Sequence, residues 1–446
     1  MFKKILIANR GEIALRIIRA CRELNIETVA VYSTADDLSL HKKFANEAIC
    51  IGPPNSTESY LNIPAIIAAA ELTNCDAIHP GYGFLSENPD FSNICKDNNI
   101  VFIGPDSDII KSMGHKSTAK QTMIKAGVPV IPGSDGTVLS VNEGIKIANE
   151  IGFPVIVKAA SGGGGRGMRM VEKVADFENA FYSAQSEAKI AFNNDEVYIE
   201  KYFTAPRHIE VQIMADSAGN VLAFGERECS IQRRHQKILE ESPSPGINEK
   251  IRKEMCLKAI DAAKSVNYLG AGTIEFLYDD KAESFYFMEM NTRIQVEHPV
   301  TEFVTGVDLL KYQILVHADL TLPEYLKNIK LRGHSIECRI NAENPDKNFM
   351  PSPGKITDLH FPGGMGVRVD SFIYAGYTIP SNYDSMIAKI IVHAPTRIEA
   401  IQRMLGALDE CKIEGIFTNI DYHKKILKNG SFINGDINTN FLNSFL

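Results

Sequence analysis

The first hundred residues alternate short apolar runs with amphipathic stretches. Apolar residues recur every three or four positions over 12–24, which predicts a helix, and a proline near the first turn favours another helix over 64–72. Continuous apolar runs predict strands at residues 4–8, 28–32, 77–79 and 100–103. Fully apolar strands that alternate with helices are typical of a parallel sheet covered on both faces, so we expect a doubly wound α/β domain.

The middle of the chain contains a small glycine-rich module. Proline and glycine concentrate in residues 127–133, after which a strand is predicted over 154–159 and an extended segment over 168–171. The module ends near residues 197–202. We therefore expect a small unit hinged to the rest of the chain by Pro/Gly stretches.

From residue 208 onward the pattern changes to that of antiparallel strands. Helices are expected over 248–265 and 397–411, and a hairpin turn over 279–284. The final segment, from about residue 333, mixes short strands with the second helix. Strands are predicted at residues 208–214, 221–226, 272–278 and 285–290.

Composition narrows the functional classes. The chain has 446 residues, 44% of them hydrophobic and 23% charged, with a formal net charge of −8. An acidic balance argues against nucleic-acid binding, which normally shows as a basic domain or stripe. No apolar run approaches the roughly 18 residues of a membrane span, and the start lacks a signal-peptide core, so we expect a cytoplasmic protein. The eight cysteines form no CxxC pair and are expected to be reduced thiols.

The glycine loop at residues 161–167 (SGGGGRG) is a candidate phosphate site. It contains a GxGxxG pattern, but a dinucleotide site needs a helix after the loop, and residues 168–171 indicate a strand. A flap whose backbone N–H groups cover phosphates is favoured, with a dinucleotide site and a structural hairpin as alternatives. Lys158 ends the preceding apolar strand and needs an anionic partner if buried, so we predict that it binds a nucleotide phosphate.

Two carboxylates and an amide form a candidate metal site. Glu289 and Asn291 are two positions apart and share a face of the predicted strand, and hairpin pairing can bring Glu275 opposite them. Hard oxygen ligands of this kind suit Mg²⁺. The alternative is a pair of solvated acids at a strand edge.

The polar positions continue beyond the carboxylates. Arg293 offers a planar fork for a small oxyanion such as bicarbonate, and Glu297 offers a carboxylate that can act as a general base. Taken alone, the alternation of Arg293, Gln295 and Glu297 is equally compatible with a half-exposed strand.

These segments together resemble biotin carboxylase. The likeness runs from Met1 to about Thr439, and its motifs are long enough that chance matching is negligible. The motifs that carry it lie at residues 7–14, 79–88, 162–168, 232–237 and 289–302, with further matches at 337–341 and 351–356.

The resemblance implies an ATP-grasp fold and a role for each matching position. The implied domains are an N-terminal α/β domain over 1–114, an ATP-grasp domain over 115–330 with a mobile lid at about 131–203, and a C-terminal domain over 331–446. ATP would be held by Lys116, Lys158, Gly164, Gly165, Glu200, Lys201, Tyr202, Phe203, His208, Gln232 and His235, with Glu275 and Glu289 linked to it through the metal. Mg²⁺, or Mn²⁺ in its place, would be held by Glu275, Glu289 and Asn291.

The remaining implied roles concern the carboxyl transfer. Bicarbonate would be surrounded by Lys237, Arg293, Gln295 and Val296, with Glu297 as its base. Arg339 and Tyr82 would face biotin. Arg19 and Glu23 would lie in a homodimer interface. The implied catalytic residues are Lys237, Arg293, Glu297 and Arg339.

The implied activity is ATP-dependent carboxylation of biotin by bicarbonate, the first half-reaction of acetyl-CoA carboxylase in fatty-acid synthesis. The implied partners are a biotin carboxyl carrier protein and carboxyltransferase subunits. No methionine here is followed by lysine, the pattern around biotin-accepting lysines, so we expect biotin to come on a separate carrier. Two rival hypotheses are an ATP-grasp ligase that joins a carboxylate to an amine, and a nucleotide-binding subunit without catalysis. Bicarbonate-dependent ADP release separates all three.

Overall fold

The amino-terminal part is a parallel sheet packed on both faces. The computed structural model describes residues 1–159, 168–192 and 194–444. The first strand shows the packing: Ile5 and Ile7 belong to one buried cluster, whereas Leu6 and Ala8 belong to another on the opposite face. Five strands run parallel in the order β3-β2-β1-β4-β5. The predicted doubly wound α/β architecture is therefore confirmed.

The elements of this part follow the predicted alternation, with additional ones at β3, α2, α4 and α5. Their bounds are β1 Lys4–Ile7, α1 Gly11–Glu23, β2 Glu27–Ser33, α2 Leu40–Phe44, β3 Glu47–Gly52, α3 Ile63–Leu72, β4 Ala77–His79, α4 Pro89–Asp97, β5 Val101–Phe102 and α5 Ser107–Gly114.

A small antiparallel sheet with its own core follows. Its strands lie in the order β7-β6-β8, and Val155, Val171, Phe181 and Ile199 are among the residues of a separate buried cluster beneath it. The bounds are α6 Lys116–Lys125, α7 Val141–Ile151, β6 Val155–Ala159, β7 Met168–Val171, α8 Phe177–Phe192 and β8 Val197–Lys201. The glycine loop lies outside the described residues.

The third part is built on an eight-stranded antiparallel sheet that crosses from the middle of the chain to its end. Its order is β13-β12-β9-β10-β11-β14-β21-β19. The elements up to the crossing are β9 Arg207–Ala215, β10 Val221–Arg233, β11 Gln236–Ser242, α9 Glu249–Ser265, β12 Gly270–Asp279, β13 Ser284–Asn291, α10 His298–Thr305 and α11 Leu309–His317.

The last hundred residues complete this sheet and cover it with α12. The elements are β14 His334–Asn341, β15 Glu343–Asn344, β16 Met350–Pro351, β17 Gly354–Lys355, β18 Asp358–His360, β19 Val367–Ser371, β20 Thr378–Ile379, β21 Met386–Ala394, α12 Arg397–Glu410, β22 Lys412–Glu414, α13 Ile420–Leu427 and α14 Gly430–Asn434. No helix among the described residues is long and apolar enough to cross a bilayer.

Two features depart from the sequence pattern. Strand β10 continues to Arg233 and returns through a two-residue turn into β11, where the pattern had indicated an end near residue 226. Strand β13 ends at Asn291, so the segment 292–297 is irregular and the half-exposed strand that its alternation allowed is absent. Irregular backbone here lets consecutive side chains converge, which alternation along a strand would forbid.

Candidate active site

The structure brings the described site residues to one cleft of ≈ 2160 Å³. Gly164 and Gly165 lie outside the described residues, so their placement stays a prediction. The predicted residues that line the cleft are Tyr82, Lys116, Lys158, Glu200, Lys201, Tyr202, Phe203, His208, Gln232, His235, Lys237, Glu275, Glu289, Asn291, Arg293, Gln295, Val296, Glu297 and Arg339.

One end of the cleft is organised around Glu200. Lys158 Nζ lies 2.7 Å from one of its oxygens and Lys120 Nζ lies 3.3 Å from the other. Burial alone would raise the pKa of Glu200, but the two ammonium groups outweigh it and hold the pKa below its ordinary value. Lys158 is half-buried and has Glu200 as its anionic partner, so a polyanion entering the cleft would compete with Glu200 for it.

The chain after Glu200 forms a half-apolar wall. Phe203 stacks on Tyr286 with ring centroids 5.1 Å apart and planes at 30°. The Nζ atom of Lys201 donates to the carbonyl groups of Gly152 and Phe153 at 3.0 and 3.1 Å. Because these bonds engage the ammonium group of Lys201, only its backbone and aliphatic side-chain carbons face the cleft.

The predicted metal ligands lie on neighbouring strands of the hairpin, where a register shift at Met288 aligns Glu275 with Glu289. Glu275 of β12 and Glu289 of β13 are register partners, and Asn291 donates to Glu275 at 2.8 Å. Desolvation and then the charge of Glu275 raise the pKa of Glu289. Two like charges facing one another favour a cation between them, and the carboxylate and amide oxygens are the ligands that Mg²⁺ prefers. The donor set therefore fits Mg²⁺.

His208 contacts Glu275 from the other side. Its Nε2 lies 2.8 Å from Glu275, and Gln232 Nε2 lies 2.9 Å from His208 Nδ1. In the neutral tautomer that accepts from Gln232 at Nδ1, the ring proton lies on Nε2 and faces Glu275. Burial would lower the pKa of His208, but Glu275 outweighs it and the pKa is raised.

Lys237 is the electrostatic centre of the site. Its Nζ lies 2.6 Å from Glu210, 2.9 Å from Glu275 and 2.7 Å from Glu297, and donates to Gln295 Oε1 at 3.1 Å. Burial would lower the pKa of Lys237, yet the three carboxylates hold it well above the ordinary value. A permanent cation among three acids keeps these side chains together.

Glu297 lies between two cations. Lys237 contacts one of its oxygens at 2.7 Å, and Arg339 Nη2 donates to the other at 2.9 Å. Burial would raise its pKa, but Lys237, Arg339 and Arg227 hold the pKa well below the ordinary value. Glu297 is therefore an ionised carboxylate at neutral pH.

Arg293 has partners that the sequence did not reveal. Its Nε donates to Glu87 at 2.9 Å and its Nη2 to Asn291 at 3.1 Å. Glu87 lies in the loop between β4 and α4 and also accepts from the backbone N–H of Thr292 at 3.1 Å. It thereby fastens the irregular segment 292–297 to the amino-terminal part.

Tyr82 and Val296 are linked through buried charge. The Tyr82 hydroxyl donates to Glu12, whose carboxylate lies 3.0 Å from Lys389 Nζ. Lys389 also donates to the Val296 carbonyl at 2.7 Å and is fully buried. One lysine of β21 thus ties the Tyr82 loop and the 296–297 peptide to the large sheet.

His235 lies at the tip of the β10–β11 hairpin. Arg234 and His235 have φ of 51° and 64°, which is the geometry of a tight turn joining antiparallel strands. The turn exposes His235 at the rim of the cleft. Lys116, the first residue of α6, is likewise exposed there.

Several residues that contact the predicted site residues were not predicted from the sequence, and only some of them could have been. Glu210 follows His208 by two positions on a predicted strand, so its face could have been inferred. Glu87 lies inside a quoted motif without an assigned role. The other missed partners, Lys120, Glu240 and Lys389, approach the site only through the folded arrangement of distant segments.

Two further sequence predictions concern cysteines and the dimer. All eight cysteines are free thiols, as the sequence analysis expected, and burial raises the pKa of the Cys229 thiol well above its ordinary value. Arg19 and Glu23 lie on the exposed side of α1, outside the cleft. Their place in an interface stays a prediction.

Comparisons with known proteins give a consistent result. Three family descriptions match: "Biotin carboxylase, N-terminal domain" over residues 1–110, "Carbamoyl-phosphate synthase L chain, ATP binding domain" over 115–325, and "Biotin carboxylase C-terminal domain" over 337–444. The chain is 57% identical over 445 residues to biotin carboxylase 1 of Bacillus subtilis, covering 100% of this chain and 99% of that protein.

Solved structures agree with the sequence relatives. A biotin carboxylase–β,γ-ATP complex from Campylobacter jejuni matches with a TM-score of 0.94 and 54% identity over 100% of this chain and 99% of that one. The biotin carboxylase domain dimer of the Hydrogenobacter thermophilus 2-oxoglutarate carboxylase, in complex with MgADP, ADP and bicarbonate, matches with a TM-score of 0.91 and 46% identity over 100% and 98% of the two chains.

Proposed function

This chain belongs to the biotin carboxylase family, and from that premise we propose how its cleft activates bicarbonate and which residues do so. It is an ATP-grasp enzyme of the ligase class that uses ATP and Mg²⁺ and acts on biotin. The proposed reaction forms carboxyphosphate from bicarbonate and ATP and then transfers the carboxyl group to biotin. One observation carries the proposal: Glu297 is held ionised between Lys237 and Arg339, beside Arg293 and the metal-ligand set.

The first step is the activation of bicarbonate. Arg293 and Gln295 orient the anion beside Glu297, and Glu297 takes its proton. The oxygen so freed attacks the γ-phosphorus, and ADP leaves with the electrons of the broken P–O bond. Lys237 stabilises the charge that develops on the transferred group. A bound Mg²⁺, held by Glu275, Glu289 and Asn291, supplies further charge neutralisation at the phosphates.

The low pKa of Glu297 must rise for it to act as a base. An incoming bicarbonate and the phosphates of ATP bring negative charge to Lys237 and compete with Glu297 for it. When that attraction is shared, Glu297 becomes more basic, because a nearby cation was the main reason for its low pKa. The site thereby couples substrate entry to activation of the base.

The second step is the carboxylation of biotin. Carboxyphosphate releases CO₂ and phosphate, and phosphate takes the ureido N–H proton of biotin. The deprotonated ureido nitrogen then attacks the carbon of CO₂ and forms the N–C bond of carboxybiotin. Arg339 stabilises the negative charge that forms on the ureido oxygen, and Tyr82 lines the biotin side of the cleft. The chain would act on biotin attached to a separate carrier protein, which carboxyltransferase subunits then discharge.

The ATP end of the cleft is assigned by the same reasoning. We propose that Lys116, Lys158 and the glycine loop hold the phosphates, and that the segment 200–203 receives the adenine. His208, Gln232 and His235 complete the nucleotide site. The family matches over 1–110, 115–325 and 337–444 support a division into domains 1–114, 115–330 and 331–446. The separate core of the small sheet supports a lid over about 131–203.

The assembly and the pathway are proposed more broadly. Arg19 and Glu23 have side chains 52% and 61% exposed, and we propose that they meet a second copy in a homodimer. We further propose a cytoplasmic enzyme that serves acetyl-CoA carboxylase in fatty-acid synthesis. Supplying the carboxylated carrier to carboxyltransferase with acetyl-CoA, pyruvate or 2-oxoglutarate tests this: malonyl-CoA is expected, and discharge only to a keto acid would contradict it.

The reaction itself is tested by ADP formation with and without bicarbonate and free biotin. We expect ADP release that depends on bicarbonate and increases with biotin. Bicarbonate-independent ADP release that requires an amine instead would favour a carboxylate–amine ligase. Nucleotide binding without any ADP release would favour a non-catalytic subunit.

A further inference from the structure

Arg339 is held by two carboxylates, of which only one belongs to the proposed chemistry. Glu240 of β11 accepts from Nε of Arg339 at 2.6 Å and lies 2.5 Å from its Nη2. Glu297 shares that Nη2 at 2.9 Å. Within the ranges 1–159, 168–192 and 194–444 we find no hydrogen-bond partner for Nη1. The two carboxylates therefore occupy Nε and Nη2 of the guanidinium group, and Nη1 can donate to a ligand.

Glu240 has no role in the mechanism above and yet is completely buried. A buried carboxylate is costly unless it is paired, so the presence of Glu240 beside Arg339 needs a reason. Glu240 is the register partner of Glu337, which precedes Arg339 by two positions on β14 and so shares its face of the sheet. Two acids thus face one another next to the proposed biotin arginine.

The surroundings indicate which acid carries the charge. Both oxygens of Glu337 and one oxygen of Glu240 are buried without a hydrogen-bond partner among the described residues. Arg339 contacts Glu240 directly, so the charge belongs there, whereas Glu337 has no such contact. A protonated Glu337 carries no charge, and one of its two unpartnered oxygens becomes a hydroxyl donor.

The other charged groups around the pair are consistent with this assignment. Lys389 faces Glu337, Lys237 faces Glu240, and the Glu297 carboxylate repels both acids. The Tyr82 hydroxyl faces Glu337 from the amino-terminal part. Burial first, and then neighbouring acids, raise the pKa of Glu337 well above its ordinary value, and burial raises that of Glu240 to about 7. The acid more easily ionised is the one that holds the arginine.

We propose that Glu240 is a positioning residue for biotin, which fixes the Arg339 guanidinium so that Nη1 is presented to the ureido oxygen, with Glu337 beside it as a neutral acid. The proposal rests on the proposed role of Arg339 in the second half-reaction. It gives the two carboxylate partners of Arg339 different roles. Glu297 shares Arg339 during bicarbonate activation, and Glu240 keeps the arginine in place when Glu297 is protonated and no longer attracts it.

The test replaces Glu240→Gln and measures both half-reactions in the full-length protein. Bicarbonate-dependent ADP formation without biotin should stay within about threefold of the parent, because Glu297 and Lys237 are untouched. The KM for free biotin should rise by about tenfold or more, since a charge-assisted hydrogen bond that orients the arginine is lost.

Glu241→Gln is the matched control. Glu241 is the next residue of the same strand on the opposite face, is equally buried, and is paired with Arg397 at 2.6 Å and His334 at 2.6 Å. The Glu241→Gln variant should have a lower midpoint of thermal unfolding than the parent but an unchanged KM for biotin. If both variants raised that KM alike, or if Glu240→Gln left it within about twofold, the positioning role would be wrong.

Two further outcomes are informative. If Glu240→Gln does not fold, Glu240→Asp keeps the charge but withdraws it by one methylene, and a KM for biotin within about twofold of the parent would then contradict the proposal. A parent protein without bicarbonate-dependent ADP formation would overturn the proposed function itself. A normal parent with an unaffected Glu240→Gln would overturn the inference alone.

Discussion

Lys389→Met tests whether a buried cation holds the site together. The lysine is fully buried, lies 3.0 Å from Glu12 and donates to the Val296 carbonyl at 2.7 Å. Methionine has a similar length but no charge and no donor. The substitution leaves the Glu12 carboxylate and the carbonyl buried without this partner.

The expected cost follows from those two losses. Removing one member of a buried ion pair typically costs about 3–5 kcal/mol, because the other charge stays buried and uncompensated. We therefore expect the free energy of unfolding of the unit that contains β21 to fall by about that amount. Urea unfolding followed by far-UV circular dichroism measures it.

Lys412→Met is the control. Lys412 also lies near two carboxylates, at 3.2 Å from Asp358 and 3.0 Å from Glu414, but all three side chains are more than half exposed. Exposed pairs contribute about 0–1 kcal/mol, so this variant should unfold almost as the parent does. Adding Glu12→Gln to Lys389→Met should recover part of the loss. A Lys389→Met loss no larger than that of Lys412→Met would refute the reasoning.

Three further predictions follow from the same structure. Glu297→Gln keeps the size of the side chain but removes its basicity, so bicarbonate-dependent ATP cleavage and biotin carboxylation should fall together by about 100-fold or more. Arg339→Ala should instead lose carboxylation far more than ATP cleavage, and equal losses in a folded Arg339→Ala protein would contradict this. Segment 131–203 should show weak amide protection that rises with ATP and Mg²⁺ in hydrogen exchange, and equal protection in both states would count against a lid. Burial would raise the pKa of Glu241, but Arg397 and His334 lower the pKa from 4.5 to about 2. The stability that this carboxylate contributes is therefore present above pH 4.5 and is lost as the pH falls towards 2. Glu241→Gln should be less stable than the parent near neutral pH and approach the parent's stability in acid, and a stability difference that does not change with pH would contradict the assignment.

Local patterns predicted the elements that position the site. The apolar runs of β1 and β2 and the amphipathic α1 required no tertiary information, because each pattern is short and regular. The hairpin itself was predictable, but the pairing of Glu275 with Glu289 depends on a register shift at Met288 that the pattern did not predict.

Contacts between distant segments could not be predicted in this way. Lys389 contacts Val296 because β21 joins the same sheet as β9, a strand far earlier in the chain, and no local pattern encodes that pairing. The segment 292–297 has the alternation of a strand, but tertiary contacts such as that of Thr292 with Glu87 replace the ladder. The family resemblance supplied the site residues that lie far apart in the sequence, and the structure shows which charges surround them.

The central claim is that bicarbonate attacks the γ-phosphorus of ATP with Glu297 as the base. Bicarbonate labelled with ¹⁸O tests it most directly, because the bridging oxygen of carboxyphosphate stays with phosphorus when CO₂ is released. The phosphate formed by the parent protein should carry one labelled oxygen, and Glu297→Gln should suppress its formation. Phosphate that takes its new oxygen from water while biotin is still carboxylated would contradict the account.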